Sequence, residues 1–466
     1  MIRLLILPGL SFLAFAFWAD DAFAHASEGG FVLLLPTRLY ILSGCAAVAL
    51  SVLIVGLMPG RWLERIFTPL RIGVARRPKG QWITSLAATV AVFGLVAIGW
   101  FGPHDPLGNL LPLTIWTLFW IGFVVIQALI GDLWAWINPW SGLAALIGPD
   151  KAPVALPDRL GHWPGVVSLI AFALFALVYP APDDPSRLAV LVAAYWSLMF
   201  LGCLLFGAEI WLPRAECFTI LLRLFASLAP LRRSDAWALG LSGWRAFHLP
   251  TPPVSLAVFI IALLGIGSFD GLNETFWWLV QIGVNPLEFP GRSALIGRTT
   301  LGLVAAVALL IALFAACVWS GLWLADRSQA PSPSFSAAFG HLSLSLLPIA
   351  LGYHLAHFLV AFLVNIQYVA VALSDPLQSG RDILNLGDHY VSTGFLKSRD
   401  PVRAIWQTQA GVIVAAHILA VFMAHHSATQ MFRSRSRTML SQVPLAAFMV
   451  LYTLFGLWLL ATARGA

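Results

Sequence analysis

The feature that most constrains this chain is a series of apolar runs too long and too poor in charge for the core of a water-soluble domain. Stretches 37–58, 82–101, 298–324 and 444–462 each carry few or no charged side chains. Each exceeds the roughly 18 residues that a helix needs to cross about 30 Å of hydrocarbon. A core helix of a soluble protein would be shorter and polar on one face. Composition agrees, with 59% hydrophobic and only 10% charged residues, against about 25% charged in soluble domains. In lipid every backbone N–H and C=O must be bonded within the protein. The expected architecture is therefore all-α: a polytopic transmembrane bundle of about ten helices.

A net charge of +6 would suit nucleic acid if the basic residues formed one surface, but they are confined to connections between apolar runs. Arg61, Arg65, Arg71, Arg76, Arg77 and Lys79 share one connection, and Arg214, Arg223, Arg232, Arg233 and Arg245 another. Arg433, Arg435 and Arg437 mark a third. This is the bias of cytoplasmic loops, and the partner it implies is the lipid bilayer with its anionic headgroups; no nucleic acid is expected. Cys45, Cys203, Cys217 and Cys317 have no CxxC spacing, so buried apolar thiols are expected rather than disulfides or metal thiolates. Tryptophans at the run ends, among them Trp134, Trp136, Trp140, Trp277, Trp278 and Trp406, form the pattern of an aromatic belt at headgroup level.

Arg3, the apolar stretch 4–18 and Ala22-Phe23-Ala24 have the layout of a secretory signal peptide over residues 1–24, followed by a single transmembrane helical domain over 25–466. Cleavage after Ala24 would leave His25 first in the chain, where its α-amino group and imidazole could chelate copper. An uncleaved anchor would make His25 an ordinary loop residue. The expected spans are 37–58, 82–101, 110–130, 164–179, 188–207, 254–268, 298–324, 339–364, 402–424 and 444–462. This order places every basic connection inside a bacterial inner membrane, with both mature termini periplasmic. An amphipathic stretch at 217–228 is expected to lie on the membrane surface.

Polar side chains at membrane depth are costly, so each one is a functional candidate. His354 and His357 stand three residues apart, on one helical face, in the expected outer half of their span. Two such histidines could begin a zinc, copper or haem site, or could be core histidines bonded to neighbouring helices. His104 and Asp105, Asp270, Asp375, and Asp388 with His389 gather on the same expected side. With His25 they form an excess of imidazole and carboxylate that suits a metal with carboxylates orienting its ligands or activating water. Asp-Pro and Asp-Gly pairs also make turns, which is the plainer account of Asp105, Asp270 and Asp375. On the inner side Asp132 and Glu209 close their spans, and Glu209 is expected to pair with Arg214. His417, His425 and His426 approach the inner end of theirs. The chain has no Walker loop, nucleophile elbow or dinucleotide fingerprint.

Several segments together resemble a group of bacterial polytopic membrane proteins labelled fenitrothion hydrolase. They are Ala24-His25 with the glycine pair and Leu-Pro that follow, Trp136-Ile-Asn-Pro-Trp140, Phe269-Asp270-Gly-Leu, Gly352-Tyr-His-Leu-Ala-His357 and Leu373-Ser-Asp-Pro-Leu377. The resemblance implies hydrolysis of a lipophilic organophosphate-like ester. It supplies no catalytic residues. The residues themselves leave three readings. In the first, a metal-dependent hydrolase opens to the periplasm, with His25, His104, His354, His357 and His389 as ligands and Asp270 or Asp388 as base. In the second, the same groups serve a permease or copper-handling protein. In the third, a histidine holds haem in a redox complex.

Overall fold

The computed structural model describes residues 32, 35–74, 80–149, 151–233, 236–288, 291–326, 332–387, 391–432 and 434–462. The expected signal peptide and His25 lie outside them. Among the described residues nine helices are long and apolar enough to cross a membrane. They are α1 (Thr37–Leu57), α2 (Gln81–Phe101), α3 (Leu110–Ile130), α5 (Pro185–Phe206), α7 (Val254–Asn273), α8 (Arg292–Ala325), α9 (Phe335–Ser374), α10 (Arg399–Met431) and α11 (Arg435–Ala461). Two shorter apolar helices join them, α4 (Trp163–Leu177) and α6 (Cys217–Ala226). The chain is thus a multi-pass helical membrane protein. The span expected at 164–179 is α4, whose 15 residues rise only about 22 Å, short of the hydrocarbon thickness.

α7 is the central helix. Phe259, Ile260, Ile261, Ala262, Leu264 and Phe269 on it are almost wholly buried, so it is apolar on every side because it faces protein on every side. Peripheral helices instead turn large apolar residues outward, such as Leu53 and Leu57 on α1, Val90 on α2 and Leu301 and Leu309 on α8, as contact with lipid requires. Close helix approach depends on small residues. At Gly352 of α9 a Cβ would fall 2.5 Å from the Cβ of Ala416 on α10, so nothing larger than hydrogen fits there.

α6 overturns the expectation of a surface helix. Cys217, Thr219, Ile220, Leu221, Leu222, Leu224, Phe225 and Ala226 are all buried, and α6 sits inside the bundle against α4 and the C-terminal part of α3. Its apolar face is wider than an interfacial helix needs, and the interior takes it in. A small antiparallel sheet accompanies the helices of this all-α bundle. β1 (Leu70–Val74), β2 (Leu231–Arg233) and β3 (Ala236–Leu239) pair in the order β1-β3-β2, with Arg71 opposite Ala238 and a register shift before Gly73. The sheet ties two of the basic connections together, so both lie on one side of the bundle, called here the basic side.

Three boundaries move for physical reasons. α7 continues through Asp270 to Asn273, α8 begins at Arg292, and α9 runs on past 364 to Ser374 because Ile366–Ser374 is still apolar. Arg214 pairs with Asp158 at 3.1 Å rather than with Glu209. All four cysteines are free, Cys203 and Cys217 buried and Cys45 and Cys317 half-buried.

Candidate functional site

One carboxylate and one imidazole meet between helices. Asp270 stands in the last turn of α7, and its Oδ2 lies 3.1 Å from Nε2 of His357 on α9. Their side chains are only 17% and 8% exposed. In a neutral ring, a hydrogen on Nε2 facing the carboxylate would leave the lone pair on Nδ1. Nδ1 is buried without a hydrogen-bond partner. Tyr353, one turn earlier on α9, stacks its ring on His357 at 5.6 Å and 13°. Its hydroxyl lies over Gly271, where a Cβ would come within 1.8 Å, so the glycine after Asp270 is what lets the two helices close around the pair.

His354 faces elsewhere. Its Nε2 donates to the carbonyl of Trp120 at 2.8 Å, and its ring stands edge-on to Trp120 and Phe358. Trp120 lies in a π-helical segment of α3, Leu113–Phe123, where wider winding takes carbonyls away from their usual α-helical donors. His354 therefore anchors α9 to α3, while still within electrostatic reach of Asp270 and His357.

His104, the other expected ligand among the described residues, is not brought to this pair. Ala356, beside His357, packs with Ile41, Ile413 and Leu457, near the ends of α1 and α11 that lie away from the basic side. α9 then continues about 25 Å further, at 1.5 Å per residue, to Ser374. The loop carrying His104 packs beyond that end, since a Cβ at Gly108 would lie 2.6 Å from Gln378 Nε2. Asp388 and His389 lie outside the described residues. Among the described residues no three His, Cys, Asp or Glu side chains gather as a metal group would require. A zinc or copper ion needs more donors than the one open imidazole nitrogen of His357.

Asp105 and Asp375 are turn formers, as the Asp-Pro pairs suggested. Asp105 accepts from Leu107 N–H at 3.2 Å. Asp375 accepts from the N–H groups of Ser379 (2.8 Å) and Gly380 (2.6 Å), and the Ser379 N–H foremost holds its carboxyl below the usual range. Asp382 is held low in the same way, first by the Ser374 hydroxyl and then by the N–H groups of Leu386 and Gly387. A carboxyl with a depressed pKa contributes to loop order fully above the ordinary value of about 4 and loses that contribution as pH falls through its lowered folded value. Hydrogen exchange should therefore show protection at Gly380, Leu386 and Gly387 falling selectively in acid, with α9 unaffected.

A second buried carboxylate, Glu216, is hidden in the amino-acid sequence, because Arg214 and Arg223 flank it and it reads as a loop charge. It caps α6 and is fully buried. Its Oε1 accepts from Tyr195 Oη (2.5 Å) and Phe218 N (2.9 Å), and its Oε2 from Thr219 N and Oγ1 (both 2.6 Å). Thr219 in turn accepts from Trp134 Nε1 and Asn138 Nδ2. Burial pushes the Glu216 carboxyl up, and the Thr219 and Tyr195 hydroxyls pull it back. Asn138 also organises the Trp136–Trp140 loop, accepting from the N–H groups of Trp140 and Ser141. This motif builds the interior of the basic side rather than a reacting centre.

Comparison of the chain with protein-family models, with curated proteins and with solved structures finds no match.

Proposed function

We propose that this chain is a multi-pass protein of a bacterial inner membrane that works by taking up and releasing a proton at the Asp270–His357 pair, as a permease for a small solute or metal ion. The observation that supports this reading is the 3.1 Å contact between the two side chains between helices of the bundle. Ionisable residues buried between membrane helices are expensive and mark ion or proton pathways. With a neutral imidazole the pair carries one negative charge, and with a proton on Nδ1 it carries none. Helices α7 and α9 therefore hold a different charge in each state, which is the differential interaction a transport cycle needs.

The unpaired Nδ1 of His357 favours a second reading, hydrolysis of a lipophilic organophosphate-like ester. Asp270 would fix the Nε2–H tautomer, Nδ1 would take a proton from water, and the resulting hydroxide would attack phosphorus as the ester oxygen leaves. No metal enters that step.

Two measurements separate the readings. Reconstituted vesicles should collapse an imposed pH gradient faster than empty ones, and Asp270→Asn or His357→Gln should remove the difference. Release of a nitrophenol from a phosphotriester by the purified protein, lost in the same variants with no gradient effect, would replace the first reading by the second. Full retention of both activities in both variants would sink the site.

A further inference from the structure

The short helix α4 leaves a gap beside it. It has 15 residues and rises about 22 Å, whereas α5 with 22 residues and α8 with 34 rise about 33 and 51 Å. Hydrocarbon is about 30 Å thick, so of the three only α4 stops short. Its first turn lies on the basic side, where a Cβ at Gly165 would come within 3.0 Å of the Arg214 carbonyl. The depth that α4 does not cover is therefore missing at its other end. There an open groove of about 630 Å³ runs between the three helices, lined by Leu174 and Phe175 of α4, Val190 and Leu191 of α5 and Ile296 of α8. Val190 and Ile296 are 54% and 43% exposed.

The end of this groove away from the basic side is itself basic. Arg187, in the first turn of α5, lines it. Arg292, at the start of α8, stands four residues before Ile296 on the same helical face, and its Nη1 donates to the Ala176 carbonyl of α4 at 2.9 Å. Two carboxylates stand near these groups: Asp184 Oδ2 is 4.0 Å from Arg187 Nε, and Asp183 is within electrostatic reach of Arg292. A guanidinium carries five N–H donors, so neither contact exhausts it. We propose that the groove binds one anionic phospholipid of the leaflet away from the basic connections, with an acyl chain along α4 and the phosphodiester between Arg187 and Arg292. Charge and shape agree on this occupant. The apolar walls lie deeper in the membrane, and the arginines stand at the level of headgroups, where a guanidinium fork matches phosphate oxygens. Tyr179 lines the same end, as an amphipathic ring at that level does. A zwitterionic lipid would bring its own cation toward the two arginines. The acyl chain covers apolar surface that a helix shorter than the bilayer leaves open.

Native mass spectrometry of the full chain in detergent, titrated with phosphatidylglycerol or with phosphatidylcholine of identical acyl chains, tests the site. The first phosphatidylglycerol is expected to bind about 10-fold more tightly than phosphatidylcholine, and Arg187→Gln and Arg292→Gln should each weaken it by about 5-fold, the scale of one arginine near anionic phosphate. The Arg187 side chain is 55% exposed, so Arg187→Gln keeps the fold and carries the test by itself if Arg292→Gln, which loses the bond to Ala176, unfolds. Val190→Trp fills the groove and keeps both arginines; it should abolish the preference for phosphatidylglycerol, which separates a seated lipid from phosphate caught at the surface. Equal binding of the two lipids by the unsubstituted chain, undiminished phosphatidylglycerol binding in Arg187→Gln, or a preference that survives Val190→Trp would each overturn the proposal. So would a dimer that binds no lipid and separates in Val190→Trp, because a second copy of the chain would then cover the groove.

Discussion

Asp270→Asn is expected to slow the collapse of an imposed pH gradient by about 100-fold, the lower end of the scale for a single proton-transfer group, with little change in folding. The substitution keeps size and shape, so Gly271 still receives the Tyr353 hydroxyl and the helices still close. What it removes is the negative charge that compensates the protonated imidazole. An asparagine carbonyl can still accept from His357 Nε2, so the imidazole remains oriented. Its protonation is no longer compensated, and a lone imidazolium at this depth is strongly disfavoured. His357→Gln should match it in rate, because it removes the other half of the same charge change. Asp375→Asn, at the far end of α9, should leave the rate unchanged. Equal losses in all three would mean that the effect comes from general disturbance of the helix rather than from the pair.

Glu216→Ala is expected to lower stability by about 3 kcal/mol, read as a large drop in thermal transition in detergent, while Glu216→Gln costs about half as much. The alanine leaves the N–H groups of Phe218 and Thr219 and the hydroxyls of Tyr195 and Thr219 without their shared acceptor. Each buried donor so abandoned costs about 1–3 kcal/mol, and loss of the α6 cap adds about 1 kcal/mol. Removing a buried carboxylate with no salt bridge among the described residues offsets part of this, which keeps the net loss below the simple total. Proton exchange at Asp270–His357 should be unchanged in the glutamine variant. A glutamine variant that is stable yet inactive would show that Glu216 takes part in function.

Apolar runs and the placing of arginines were enough to predict a helical membrane protein, because both follow from the transfer of single side chains between water and lipid. His354 and His357 were visible as a pair for the same reason. Their spacing put them on one face, yet side chains on one face still have separate partners. His354 went to a carbonyl freed by the π segment of α3, and His357 to Asp270 on α7. Asp270 itself was placed in a loop, since Asp-Gly is a common turn, and only the continuation of α7 through Asn273 put its carboxylate beside an imidazole. Glu216 was hidden by the arginines around it in sequence.

By itself, then, the amino-acid sequence determined the solvent of this protein, the approximate extent of its helices and the grouping of its basic connections. These are local properties, set by the free energy of moving each segment out of water. Only the tertiary structure decided which groups meet: the pair at Asp270 and His357, the separation of His104 from it by the length of α9, the burial of α6 and the groove between α4, α5 and α8. Such meetings depend on helix register and on close approach at particular glycines, quantities that no single segment contains.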